Sequence, residues 1–245
     1  PSSPFSDKLT PKQIRAILNR SITQSERWRT MKAAGYTPGE INQAFRQKIE
    51  MTVFTYHGDI DTLMSPLDSI RYYKEFLRSG FMSMDPKTGA VKAYVGGLDY
   101  PHFMYDMVSL GRRQVGSTIK PFLYSLAMEN GFTPCDYAPN RQQTYIVAGK
   151  PWTPRNANHA RYGQMVPLKW GLAQSNNWIS AYLMSKLNPS QFVQLLHDYG
   201  IHNPDIHASM SLCLGPCEVS VSEMVSAYTV FANHGIRTAP MFVSR

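Results

Sequence analysis

No stretch of 18 apolar residues occurs in this 245-residue chain, so no segment is written to cross a membrane as a helix, and the opening PSSPFSDKLT lacks the apolar centre of an export signal. An opening this abrupt suggests an excised piece. Cysteine is scarce: Cys135, Cys213 and Cys217 match no zinc spacing, and an odd number cannot all pair within the chain. Cys213 and Cys217, in CLGPC, either close a small loop or remain free thiols. The seven histidines show neither HxxxH nor HxH spacing, so no metal centre is expected. Charged residues make up only 17% of the chain, too few for a disordered tail, and 43% apolar residues over this length are enough for one sizeable core or two modest ones. The net charge of +8 suits anionic partners such as membrane surfaces or cell-wall polymers, and equally a basic solvated surface. Nucleic acid is not expected, because no Lys/Arg run interleaves with aromatics and no nucleic-acid module signature occurs.

Helix punctuation is plentiful. Thr10-Pro11 opens one helix, and Thr37-Pro38-Gly39-Glu40 spells a capping box with proline at the first helical position, behind which Ile41, Phe45 and Ile49 fall on one face. MTVFTYH at 51–57 has strand composition. Ser65-Pro66-Leu67-Asp68 begins a helix whose Leu67, Ile70, Tyr73 and Leu77 point one way before Gly80 stops it. The period then falls to 2: FMSMD (81–85) and AVKAYV (90–95) flank the turn Pro86-Lys87-Thr88-Gly89 and predict a hairpin. From Ser117 onward the chain reads as helical, with Phe192, Leu195, Leu196 and Tyr199 as one stripe and Ser220-Val221-Ser222-Glu223 opening a helix that runs to Gly235. A lone hairpin is only marginally stable, so more strands are expected, yet none is evident after 150 until the extended residues 240–245.

The stretch GRRQVGSTIKPFLYSLAMENG (111–131) sets a serine and a lysine one turn apart at the mouth of an apolar helix. If the helix starts near Ser117, Lys120 lies on the same face, close enough for its amine to reach the hydroxyl as base to nucleophile. The positive end of the helix helps to stabilise negative charge at the serine oxygen and to depress the lysine pKa. Pro121 has no N–H to give, which leaves the Ser117 backbone less tied down. By itself such a spacing is also what an ordinary helix start with an exposed lysine produces. Downstream, LAQSNNWISAYLM (172–184) puts Ser175 and Asn177 at a break between two apolar helical stretches, which would turn both side chains into a cleft, though an ordinary polar helix junction gives the same letters. The order SxxK then SxN marks the serine acyl-transferases that include penicillin-binding proteins and class A β-lactamases.

With AVKAYVGG, RRQVGSTIKPFLY, PWTPRN, YGQMVPLKWGLAQSNN and SLCLGPCEVSVSEMVSAYTVFANHGIRTAP in order, the chain resembles the transpeptidase domain of class A penicillin-binding proteins. The resemblance implies an α/β fold of the α+β type, with an antiparallel sheet flanked by helices, an all-helical subdomain, and a sheet left incomplete in this chain. Residues 61–245 would be the N-terminal and central part of that domain. Residues 1–60, with RWRTMKAAGYTPGEINQAF, resemble the helical connector behind a glycosyltransferase domain that is not present here. The family's third motif is KTG. Lys87-Thr88-Gly89 spells it, but these residues precede Ser117 and form a hairpin turn, so the motif is expected after Arg245.

The implied activity is D,D-transpeptidation of peptidoglycan stem peptides without a cofactor, with β-lactams as substrate mimics. Ser117 would be the nucleophile, Lys120 its base, Ser175 the proton carrier to the leaving D-alanine, and Asn177 the group holding Lys120 and substrate; Ser117, Ser175 and Asn177 also contact the substrate. Implied partners are the KTG-bearing remainder of the domain, the glycosyltransferase domain and a membrane anchor, in an extracytoplasmic or periplasmic parent protein. Alternatives on the same fold are a β-lactamase or D,D-carboxypeptidase and a non-catalytic scaffold. The chain alone is expected to be incompetent, because one oxyanion donor comes with the KTG strand and such a donor is typically worth about 3 to 4 kcal/mol.

Overall fold

The computed structural model describes residues 4–157 and 159–243, and the chain divides between Arg78 and Ser79 into two compact units. The first holds α1 (Pro11–Gln24), α2 (Glu26–Ala33), α3 (Pro38–Ala44), β1 (Ile49–Val53), β2 (Ile60–Met64) and α4 (Pro66–Glu75). Two capping boxes start its helices. Glu40 accepts the Thr37 N–H at 2.8 Å while the Thr37 hydroxyl accepts the Glu40 N–H, and Thr10 and Gln13 do the same for α1. Each such cap contributes about 1 kcal/mol by pairing N–H groups that the helix itself leaves open.

Ile22, Ile41 and Phe45 form the small core of this unit, joined by Trp28, Met31, Leu67 and Ile70. Ile49 is not part of the expected helical face, because α3 stops at Ala44 and Ile49 begins β1. β1 pairs antiparallel with β2, Ile49 opposite Met64 and Val53 opposite Ile60. β2 left no mark in the sequence: both of its faces are largely exposed, so no alternation betrays it. Leu77 is 84% exposed and lies beyond α4, which ends where Phe76 turns extended and its ring packs edge-on against Phe54 and Tyr72. The unit ends at Arg78, since the β1–β2 hairpin and α4 belong to the same body and α4 packs on α1.

The second unit opens with the expected hairpin, β3 (Phe81–Met84) and β4 (Val91–Val95). Asp85 accepts the N–H groups of Lys87 and Thr88, each at 2.9 Å, and Gly89 supplies the positive φ that closes the turn. The remaining elements are β5 (Arg112–Gln114), a 3-10 turn (Gly116–Ile119), α5 (Lys120–Glu129), β6 (Tyr137–Pro139), β7 (Tyr145–Val147), β8 (Lys150–Trp152), β9 (Met165–Pro167), α6 (Leu168–Ala173), α7 (Asn177–Lys186), α8 (Pro189–Asp198), a second 3-10 turn (Met210–Leu214), β10 (Glu218–Ser220) and α9 (Val221–Ala232). Strands after residue 150 do exist, but at three residues each they are too short to display a period.

Among the described residues every sheet is a two-stranded antiparallel pair: β1 with β2, β3 with β4, β5 with β10, β6 with β9, and β7 with β8. The hairpin gains one further bridge, as Met241 donates to Gly89 O at 2.8 Å and Val91 donates to Met241 O at 3.0 Å, which gives the expected extended tail a parallel contact. Residues 244 and 245 lie outside the described residues. The core gathers around α5 and α7, where Phe122, Leu123, Ile179, Leu183 and Met184 pack with Phe192 and Leu196 of α8. α9 begins with the expected box and stops at Ala232, three residues short of Gly235. All three cysteines are free thiols, Cys213 buried and Cys135 exposed.

Candidate active site

α5 runs through the core, so a residue at its mouth is held on a rigid element. The approach to that mouth is a lattice of backbone bonds: β5 pairs with β10, Val115 donates to Cys217 O, and Gly116 donates to Gly215 O, both at 3.0 Å. Gly215 is left-handed at φ +65°, and a Cβ there would come within 2.2 Å of Gly116 O, so only glycine permits this approach. Thr118 Oγ1 donates to Val115 O and Tyr228 Oη donates to Thr118 O, both at 2.7 Å, so α9 braces the turn from its other side.

The α-helix itself starts at Lys120, and Ser117 sits in the single 3-10 turn ahead of it. Its carbonyl is not left loose by Pro121 as the sequence suggests: in the tighter turn the N–H of Lys120 takes it, and the proline donor is not needed. Ser117 is exposed, and its hydroxyl makes no hydrogen bond among the described residues.

Lys120 is 1% exposed. Its Nζ donates to Ser175 O at 2.6 Å, to Ser175 Oγ at 3.1 Å and to Asn177 Oδ1 at 2.7 Å. An ammonium has three donors, and all three are used, so the expected bond to Ser117 is absent while Lys120, Ser175 and Asn177 form one cluster. Burial lowers the lysine pKa from 10.5 to about 8. Burial also pushes the Cys213 thiol up to about 12, which leaves it neutral near pH 7.

The break between α6 and α7 that carries Ser175 and Asn177 is built by side chains that no motif spacing marks. Ser175 is left-handed at φ +49°, a strain of roughly 1 to 2 kcal/mol for a non-glycine residue. In that conformation both its carbonyl and its hydroxyl face Lys120. Asn176, fully buried, caps α7 by accepting from Trp178 N and Ile179 N, and donates to Asn140 Oδ1 at 2.8 Å. Asn140 in turn donates to the carbonyls of Ala160 and Arg161, both at 2.8 Å.

Asn177 is fixed from three directions: Oδ1 takes the lysine, Nδ2 donates to Arg155 O at 2.7 Å, and its backbone N–H donates to Asn156 Oδ1 at 2.9 Å. Trp178 Nε1 donates to Pro154 O at 3.0 Å, completing a clamp formed by the segment PWTPRN. Beside the 3-10 turn an open, mainly apolar groove of about 610 Å³ is lined by Gln114, Val115, Thr118, Val219, Met224 and Tyr228. No His/Cys/Asp/Glu group suited to a metal ion occurs among the described residues.

A mixed helical and antiparallel domain with a serine at a helix mouth and a buried lysine shared with a Ser-x-Asn turn has the architecture of the penicillin-binding transpeptidases. The sequence agrees: residues 79–245 match the penicillin-binding protein transpeptidase domain and residues 1–77 the penicillin-binding protein middle domain, and the chain belongs to the penicillin-binding protein family. It is similar to penicillin-binding protein 1A of Pseudomonas aeruginosa (31% identical over 170 residues, 69% of this chain) and of Neisseria meningitidis (33% over 172 residues, 69% of this chain). The chain spans 21% of the length of each. The crystal structure of penicillin-binding protein 1A from Haemophilus influenzae superposes with a TM-score of 0.64 at 32% identity, covering 67% of this chain and 25% of that one. The penicillin-binding protein PonA1 of Mycobacterium tuberculosis shares the fold over 92% of this chain and 59% of its own, with a TM-score of 0.55 at 21% identity.

Proposed function

We propose that the chain supplies the nucleophile and proton-transfer groups of a peptidoglycan D,D-transpeptidase. Ser117 Oγ attacks the carbonyl between the two terminal D-alanines of a stem peptide and gives its proton to neutral Lys120. The tetrahedral adduct collapses to a Ser117 ester as the C–N bond breaks, and Ser175 passes a proton to the departing D-alanine amine. An amine of a neighbouring stem then attacks the ester, forming the cross-link and restoring the serine. β-Lactams follow the first half of this path and leave Ser117 acylated.

The carrying observation is the single buried amine held 3.1 Å from Ser175 Oγ and 2.7 Å from Asn177 Oδ1. Its lowered pKa makes a neutral base accessible near physiological pH, and its contact with Ser175 gives the proton a short route from base to leaving group. Ser117, exposed one turn away, is open to an incoming carbonyl. The activity belongs to a longer protein, in which residues 1–60 act as a connector behind a glycosyltransferase domain and a membrane anchor holds the enzyme on the extracytoplasmic side. A KTG strand there supplies the second oxyanion donor and the grip on the substrate carboxylate. Intact-mass measurement of the full-length protein after exposure to a labelled penicillin is expected to find one added equivalent, and none in Ser117→Ala. Uptake by the alanine variant would overturn the assignment.

A further inference from the structure

Asn177 can serve the lysine only with its amide turned one way, and nothing in the residue itself fixes that choice. The oxygen must face Nζ, which requires Nδ2 to point away and find an acceptor; Arg155 O provides it at 2.7 Å. The backbone must also hold Asn177 at the first position of α7, where its N–H has no partner within the helix. Asn156 Oδ1 takes that N–H at 2.9 Å. Asn177 follows Ser175 by two residues, so the same anchor sets the left-handed turn that aims Ser175 O and Oγ at the lysine.

We infer that Asn156 is a positioning residue for acylation, holding the Ser175–Asn177 turn so that three oxygen acceptors converge on Lys120 Nζ. This rests on the transpeptidase reading above, since it assigns the consequence to the lysine base of that reaction. Asn156 accepts the Asn177 N–H and acts on the lysine through Asn177. The other groups around Nζ are the thiol of Cys213 from the second 3-10 turn and the neutral acceptors Ser175 and Asn177, while Arg155 contributes its carbonyl and carries its charge on an exposed side chain. No carboxylate is among them in the described residues, so the stability of the ammonium depends on how well the three oxygens converge. Loosening the turn withdraws acceptors from the charged form, and the lysine loses its proton at lower pH.

The experiment is the pH profile of acylation by a fluorescent penicillin, measured on the full-length protein as wild type, Asn156→Ala, Asn156→Asp and Ser117→Ala. Asn156→Ala is expected to lower the plateau rate about tenfold and to move the midpoint of the acid limb down by about half a pH unit or more. Asn156→Asp, which keeps an oxygen for the Asn177 N–H, is expected to hold the plateau within about threefold of wild type and to move the midpoint upward, because it adds a negative charge near the ammonium. A merely structural asparagine would lower the labelled fraction and the Tm in both variants and leave the midpoint where it is, and that result overturns the inference. A wild-type profile in Asn156→Ala, with Ser117→Ala silent, also overturns it while leaving the transpeptidase reading intact. Labelling of Ser117→Ala sinks both.

Discussion

Lys87 and Lys120 stand 33 positions apart in one unit, each inside three or four letters that spell a motif of the family, and their surroundings are opposite. Lys87 is exposed in a hairpin turn whose geometry is set by other atoms: Asp85 accepts the backbone N–H groups of residues 87 and 88, and Gly89 supplies the positive φ. The turn asks nothing of the lysine side chain. Lys120 is 1% exposed in the first position of a core helix, and all three of its donors are taken by a turn 55 residues downstream. Burying an ammonium is costly unless each proton has an acceptor, so a lysine in that position demands a dedicated environment, and the environment in turn adjusts the lysine. On the proposed reading, a motif carries chemistry where the fold desolvates and pairs it, and the same letters on a solvated turn carry only turn geometry.

The sharpest way to break this comparison is to remove the buried lysine. Lys120→Ala deletes the proposed base and leaves Ser175 and Asn177 without their shared partner, and acylation by penicillin in the full-length protein is expected to fall by roughly 10²-fold or more. Stopped-flow labelling at saturating penicillin measures it. A loss of less than about tenfold would mean that another group takes the Ser117 proton.

How much of this was readable in advance follows the same division. Ser117, Lys120, Ser175 and Asn177 were nameable because their order is fixed along the chain, and the capping boxes at Thr37 and Ser220 were nameable because a cap is a local bond between residues three apart. What escaped is long-range. The lysine reaches residue 175 instead of 117, a choice made by tertiary packing of α5 against α7, which no i to i+3 spacing encodes. Asn140 and Asn156 look like ordinary loop asparagines until residues 176 and 177 arrive beside them, although the segment PWTPRN gave a hint by resembling the family. The three-residue strands escaped for a simpler reason, since a period of 2 needs more than three residues to be seen.

A subtler test compares the two lysines by titration. Burial sets the folded-state pKa of Lys120 near 8, below its ordinary value of 10.5, so the native state binds fewer protons than the unfolded chain between those two values. Stability therefore rises with pH across the window from about 8 to 10.5, as the penalty for a buried charge is relieved. Urea midpoints are expected to increase from pH 7.5 to 9.5 in the wild type relative to Lys120→Met, whose buried side chain never carries charge. The acylation rate should follow the neutral amine, with an acid limb centred near pH 8; about a tenth of the molecules then hold the base in working form at pH 7. An acid limb centred at or below pH 6, with no extra pH dependence of stability over Lys120→Met, would assign the limb to another group.

The smallest expected effect belongs to Lys87. If its triplet is a turn and nothing more, Lys87→Ala leaves Asp85, the two N–H bonds to its carboxylate and Gly89 in place, because those bonds use the backbone of residue 87. Among the described residues the exposed side chain makes no hydrogen bond or ion pair that the substitution would remove, and surface changes of this kind usually alter stability by no more than about 0.5 kcal/mol. Acylation is expected to stay within a few-fold of wild type, measured beside Lys120→Ala in one preparation at one pH. Asp85→Ala is the informative companion: it removes the acceptor for both turn N–H groups and should destabilise the hairpin, which separates damage to the turn from any role of the lysine. Equal losses of acylation at Lys87 and Lys120 would mean that the Lys87-Thr88-Gly89 triplet reaches the substrate after all, and that exposure in a hairpin turn does not distinguish a coincidental motif from a working one.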